Sequence, residues 1–256
     1  MNKISATIIT HNEELNIRRC LESIKDVVDE VIVVDDFSTD DTELICKEFG
    51  VRFVKQKWLG FTEQKNLSIS LATNDWILSI DADEQLSDEL KSSILKLKTE
   101  ETPINKVFSV KILPNYCGHW IRHCGWYPCP KRRLWNRKAG IWFGLIHEYV
   151  KFNQEIDNQM LEGDLNHYSY HSISQHVMKA DRYSSLSAQK AFEAGKRCRS
   201  GFRIYFKTCW TFFSDYFLKA GFLDGYYGFV VCKMNAYGTF LKYSKLHELT
   251  DKKNNQ

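Results

Sequence analysis

The chain has 256 residues, 43% of them hydrophobic and 26% charged, and carries a formal net charge of +3. That composition excludes a disordered chain, and so small a charge does not by itself imply nucleic-acid binding. No stretch approaches the roughly 18 uncharged apolar residues of a membrane span, and the opening segment to Ile9 has no signal-peptide cleavage site, so a cytoplasmic location is expected.

The first hundred residues alternate strand and helix patterns. Ile4 to Ile9 reads as a strand, and Ile17, Leu21, Ile24 and Val28 follow at helical spacing with Asn12 as N-cap. Val31 to Val34 is an unbroken β-branched run, suited to a strand buried on both faces. Asp40 and Glu43 stand in capping-box relation ahead of a second helix, and Val51 to Val54 is a third strand. A helix bearing Leu67 and Leu71 comes next, then the strand Trp76 to Ile80, then a helix capped by Ser87. This order predicts an α/β fold with a mostly parallel sheet flanked by helices, its first half Rossmann-like. After a strand at Val107 to Leu113, a loop region rich in Trp, His, Cys and Arg is expected to about residue 147. Helical periodicity returns from Ser174 to about Arg197, and the aromatic stretch from Phe202 to Tyr243 reads as two helices broken near Gly221 to Gly225. The division expected is an α/β domain over 1–168, in two halves of different pattern (1–100 and 101–168). A C-terminal helical, aromatic-rich extension over 169–256 would end in a solvated, disordered tail from Asp251.

Ligands of open parallel sheets bind beyond the carboxyl ends of the strands. Three polar clusters fall there: Thr10-His11-Asn12-Glu13, Asp35-Asp36-Phe37-Ser38-Thr39-Asp40, and Asp81-Ala82-Asp83-Glu84. No glycine-rich phosphate loop is present, which disfavours a dinucleotide dehydrogenase or a P-loop enzyme. Asp81 and Asp83, two residues apart at a strand end, place hard oxygen ligands where one Mg2+ or Mn2+ could also hold substrate phosphates.

Taken together, Ala6 to Glu13, Glu30 to Thr42 and Ile80 to Glu84 resemble the inverting family 2 glycosyltransferases of GT-A fold, in order and spacing. The resemblance implies that Thr10, Asn12 and Glu13 lie near the nucleotide and that Asp36 contacts its base or ribose. Lys65 and Asn66 would lie against the nucleotide, Asp81 would touch ribose or metal, and Asp83 would be the principal metal ligand. Segments from Gly118 to His123, Gly125 to Pro128, Arg132 to Trp135 and Ile146 to Glu148 resemble the branch typified by bacterial lipopolysaccharide core β-glucosyltransferases. That implies a nucleoside-diphosphate sugar donor, with UDP favoured and glucose a candidate sugar, and a glycolipid or oligosaccharide acceptor.

Arg132 or Arg133 suits the leaving diphosphate, because a guanidinium donates paired hydrogen bonds. An inverting displacement needs a general base, for which Glu148 is the candidate, with His147 to position it, touch the diphosphate or bind metal. The C-terminal aromatic and basic residues suit peripheral contact with the inner face of the cytoplasmic membrane, packing on the catalytic domain, or a dimer contact; a lipid-linked acceptor favours the first. Two other readings share the motifs: a polyprenyl-phosphate sugar transferase of the same fold, and a non-catalytic carbohydrate-binding relative.

Overall fold

Strands without a polar face can only sit inside a sheet covered on both sides, and that is where these lie. The computed structural model describes residues 2–144 and 148–254. In chain order the first elements are β1 (Ile4–Thr10), α1 (Ile17–Ile24), β2 (Glu30–Asp35), α2 (Thr42–Glu48), β3 (Arg52–Lys55), α3 (Phe61–Ser70), β4 (Trp76–Ser79), β5 (Glu84–Leu86) and α4 (Asp88–Thr99). The rest are β6 (Lys106–Tyr116), β7 (His119–Trp120), β8 (Cys129–Asn136), β9 (Gly140–Phe143), β10 (Tyr149–Phe152), β11 (Asp157–Tyr170), α5 (Ile173–Glu193), α6 (Gly201–Phe213) and α7 (Gly225–Asn254).

The sheet runs in the order β3-β2-β1-β4-β8-β6-β11-β5, with β7 paired to β6 and β9-β10 forming a separate ribbon. The first four strands are parallel, as the alternating pattern predicts; β8 then joins β4 antiparallel. The fold is thus the expected α/β sheet flanked by helices, with an antiparallel continuation. Because the chain crosses from edge strand β3 to the far side of β1, a switch point opens between β1 and β4. Crevices of this kind take ligands beyond the strand ends. The register places Thr10 beside Asp35 and Thr7 beside Ser79, so the loops after β2, β1 and β4 emerge side by side.

Several local expectations change. Asn16, not Asn12, is the N-cap of α1, and Val28 falls after the helix; Asn12 instead adopts φ 55° and braces a neighbouring loop. Asp40 accepts the backbone N–H of Thr42 and of Glu14, so it ties two loops together rather than forming a capping box with Glu43. The region expected as loop to residue 147 holds β7, β8 and β9, whose Trp135 and Trp142 are buried and meet edge to face at 5.7 Å. Ser87 caps α4 as predicted, accepting from Leu90 N at 3.3 Å. The break between the two last helices falls where expected, as a 3-10 turn at Gly221–Asp224. Helix α7 runs on to Asn254, through residues whose composition reads as a tail.

Two compact units divide the chain: Met1–Leu113 with Cys129–Tyr168, and Pro114–Pro128 with Ser169–Gln256. In the first, Ile8, Ile17, Leu21, Ile24, Leu78 and Phe108 fill one face of the sheet, and Ile32, Val34, Ile77 and Trp135 the other. In the second, Tyr116, Ile121, Val231 and Cys232 form one cluster, and Ala188, Ile204 and Leu246 another. Its Asp224, with a side chain 7% exposed, accepts the backbone N–H of Arg122 and His123 at 3.1 and 2.8 Å, which fixes that loop on the turn before α7.

In the first unit β11 crosses the start of α4 so closely that only glycine fits at 163. With φ at +94°, a Cβ there would lie 2.3 Å from Leu90 N. Backbone atoms cannot yield as a flexible side chain can. Gly163→Ala is expected to cost about 2–3 kcal/mol, combining left-handed strain with overpacking, and a urea-unfolding midpoint measures it.

Candidate functional site

The loops after β1 and β2 hold each other. Asn12 N–H donates to Ser38 Oγ at 2.8 Å, Asn12 Oδ1 accepts from Thr39 N at 2.9 Å, and Glu13 N–H donates to Thr42 Oγ1 at 2.8 Å. Buried Asp35 accepts from Ser38 N at 2.8 Å, leaving the next residue, Asp36, at the rim. Asp36 N–H donates to Thr10 O, and Asp36 Oδ1 accepts the backbone N–H of Trp58 at 2.9 Å. Thr10, Asn12, Glu13 and Asp36 therefore form one wall, built largely of side chains that pin backbone.

The second wall is the loop after β4. Asp81 lies between two cations, with Lys65 Nζ 3.0 Å from Oδ1 and Arg133 Nη2 2.8 Å from Oδ2. Arg133 also pairs with Glu84, a carboxylate only 1% exposed. Burial would raise the pKa of Asp81, but Arg133 and Lys65 overcome it and hold the carboxyl well below the usual carboxylate range. Burial pushes Glu84 up, with Asp81 beside it working the same way and Arg133 opposing. Arg133 reaches this position through a bulge: Leu134 pairs with Phe108 and Arg132 with Ser109, so Arg133 is the extra residue of β8. A bulge re-aims a side chain. Arg133 is consequently buried, while Arg132 is exposed, its guanidinium 5.6 Å from the Phe152 ring.

Asp83 is not tied up in that network. Its Oδ2 lies 3.1 Å from His167 Nε2, and both side chains remain partly exposed, at 23% and 32%. His167 was invisible to motif reading. It sits on β11, 84 residues downstream, opposite Glu84 in the antiparallel register. The backbone bond from Tyr168 N to Asp83 O at 2.9 Å locks β11 to this loop. Burial lowers the pKa of His167, but the hydrogen bond and charge of Asp83 outweigh it and the net shift is upward. Among the described residues no group of three or more His, Cys, Asp or Glu side chains is arranged to hold a metal. The Asp83 carboxylate suits Mg2+ or Mn2+, whose other positions diphosphate oxygens and water would fill, and the His167 imidazole is a further donor beside it.

Lys65 and Asn66 lie side by side on α3 with different partners. Lys65 reaches Asp81 and lies 4.6 Å from the Trp142 ring, while Asn66 exchanges two hydrogen bonds with the Trp142 backbone, at 2.9 and 3.0 Å. Thr62 further ties α3 to Gly144 O, so the ribbon β9-β10 is docked on the helix whose lysine touches Asp81. Glu148, half-buried, immediately precedes β10 on that ribbon. His147 lies outside the described residues.

Against other proteins, the model of the glycosyl transferase family 2 matches residues 5–161. An uncharacterized glycosyltransferase of Rickettsia typhi is 38% identical over 265 residues, covering 100% of this chain and 90% of the relative. The lipopolysaccharide core biosynthesis glycosyltransferase LpsC of Rhizobium meliloti is 27% identical over 257 residues, covering 96% of this chain and 92% of LpsC. Among solved structures, glucosyl-3-phosphoglycerate synthase from Mycobacterium tuberculosis with Mn2+, UDP and phosphoglyceric acid is 26% identical over 44% of each chain. Its TM-score is 0.37, a superposition too loose to carry site chemistry across.

Proposed function

Because the chain belongs to glycosyltransferase family 2, we propose that it moves a hexose from a UDP-sugar to a hydroxyl of a glycolipid acceptor such as lipopolysaccharide core. The observation that carries this reading is the division of labour among the acids. Lys65 and Arg133 occupy Asp81, while Asp83 and His167 stand together and partly exposed beyond β4. The wall of Thr10, Asn12, Glu13 and Asp36 takes the nucleoside, with the Asp36 carboxylate accepting from the base or ribose. Asp83 and His167 hold Mg2+ or Mn2+; when bound, the cation supplies neutralisation of the diphosphate charge that grows as the sugar leaves. Asp81 contributes by fixing Lys65 at the same edge. Arg133 holds Asp81 and Glu84 in place, and the exposed Arg132 is the arginine left for the diphosphate.

The transfer is an in-line displacement. The acceptor oxygen attacks the anomeric carbon, the bond from that carbon to the diphosphate oxygen breaks, and UDP leaves with the electron pair. The acceptor proton passes to the Glu148 carboxylate. The acceptor class is supported by the likeness to LpsC over almost the whole chain. Such an acceptor places the protein at the inner face of the cytoplasmic membrane.

The test is product formation from UDP-glucose and purified core oligosaccharide with Mn2+, followed by mass spectrometry. Glu148→Gln is expected to slow turnover about 100-fold with donor binding unchanged, as for loss of a general base. Full turnover in Glu148→Gln would remove Glu148 from the mechanism, and a product of retained anomeric configuration would overturn the single displacement.

A further inference from the structure

In the second unit, α6 is amphipathic in the opposite sense to a core helix. Its inner side carries Ile204, Thr208 and Thr211, of which Ile204 is buried and Thr211 Oγ1 meets Thr239 Oγ1 of α7 at 3.3 Å. At about 100° per residue, Phe202, Phe206, Trp210 and Phe213 fall within about 80° of arc on the opposite side. These rings are exposed, from 45% for Phe213 to 77% for Phe202. They touch in two groups: Phe202 and Phe206 centroids are 6.5 Å apart, and in the second group Trp210 and Phe213 are 5.9 Å and Phe213 and Phe217 5.2 Å apart. An aromatic stripe of this length turned to water marks a contact surface.

The charges beside it say what it contacts. Residues 194–214 contain five basic side chains, Lys196, Arg197, Arg199, Arg203 and Lys207, and no acidic one. Arg203 and Lys207, both exposed, lie along one flank of the stripe. A protein partner of ordinary composition does not call for that one-sided charge. A bilayer does: aromatic rings settle at the headgroup level while lysine and arginine meet lipid phosphates. No helix among the described residues is long and apolar enough to cross a membrane, so the contact is made in the plane of the surface.

We propose that α6, with Phe217 in the turn just beyond it, is a membrane-surface anchor, which lays Phe202, Phe206, Trp210, Phe213 and Phe217 into an anionic phospholipid leaflet with Arg203 and Lys207 on the headgroups. This deepens the membrane-side part of the function proposed above, and rests on that part alone. The test is flotation of the full chain with phosphatidylcholine vesicles, with and without phosphatidylglycerol, in parallel with UDP binding.

The chain is expected to float with the anionic vesicles. Arg203→Gln with Lys207→Gln should weaken that partition about thirtyfold, taking each cation at its usual worth near a charged surface. Phe206→Ser with Trp210→Ser should abolish flotation while far-UV circular dichroism and UDP binding stay as in the parent. The proposal is overturned if the parent does not float, or if both double variants float like it. It is equally overturned if the parent fails to float but dimerises in sedimentation equilibrium through the same two aromatics, which would make the stripe a contact between copies. UDP binding alongside flotation failure rejects the anchor and leaves the transferase reading standing; flotation without UDP binding does the reverse.

Discussion

Asp83→Ala is expected to reduce sugar transfer about 1000-fold, the scale on which removal of transition-state charge stabilisation is felt. The loss should appear first as loss of metal-dependent donor binding, because Asp83 is the carboxylate of this loop that no Lys or Arg among the described residues occupies. Stability should change little, since the side chain is partly exposed and what it hydrogen-bonds, His167, is partly exposed too. His167→Ala keeps the carboxylate and removes the imidazole, so it should weaken metal affinity less than Asp83→Ala does. Titration of Mn2+ against UDP binding separates the two variants. An Asp83→Ala protein that still needed Mn2+, with the parent's affinity, would place the cation elsewhere.

Arg133→Met is expected to destabilise the first unit by about 3–5 kcal/mol, the cost of leaving buried charge without its partner. Asp81 and Glu84 both rely on this guanidinium, and Glu84 is shut away from water. The loss is measured by urea unfolding followed by circular dichroism. Arg132→Met, on the exposed neighbour, should stay within about 0.5 kcal/mol of the parent. Adding Glu84→Gln to Arg133→Met should restore part of the loss, because one of the orphaned charges is then neutral. Equal, small effects of the two arginine substitutions would show that the buried network is not what holds this loop.

The parallel half of the sheet was legible because its signal is local. A β-branched run such as Val31 to Val34 has no polar face to show to water, and the acidic clusters stand immediately after such runs. Asp81 and Asp83 could therefore be placed at a strand end from sequence. Their different neighbours could not. Arg133 enters the site through a one-residue bulge, and in sequence it is indistinguishable from Arg132. His167 arrives by antiparallel pairing of β11 with β5, a long-range register that no short motif encodes. Asn12 was misread as a helix cap because it carries the right chemistry for one; its left-handed backbone spends that amide on Thr39 instead. On α6 the aromatic and basic content was visible in the sequence, but which face met α7 and which met solvent depended on packing.

The most direct measurement is isothermal titration of the intact protein with UDP, with and without Mn2+, repeated on Asp83→Ala. Binding that appears with Mn2+ and disappears in the variant is the predicted result, and it would establish the donor site beyond β4. Absence of UDP binding in the parent with Mn2+ present, or binding indifferent to both Mn2+ and Asp83, would contradict a metal-assisted transfer from a UDP-sugar at this site.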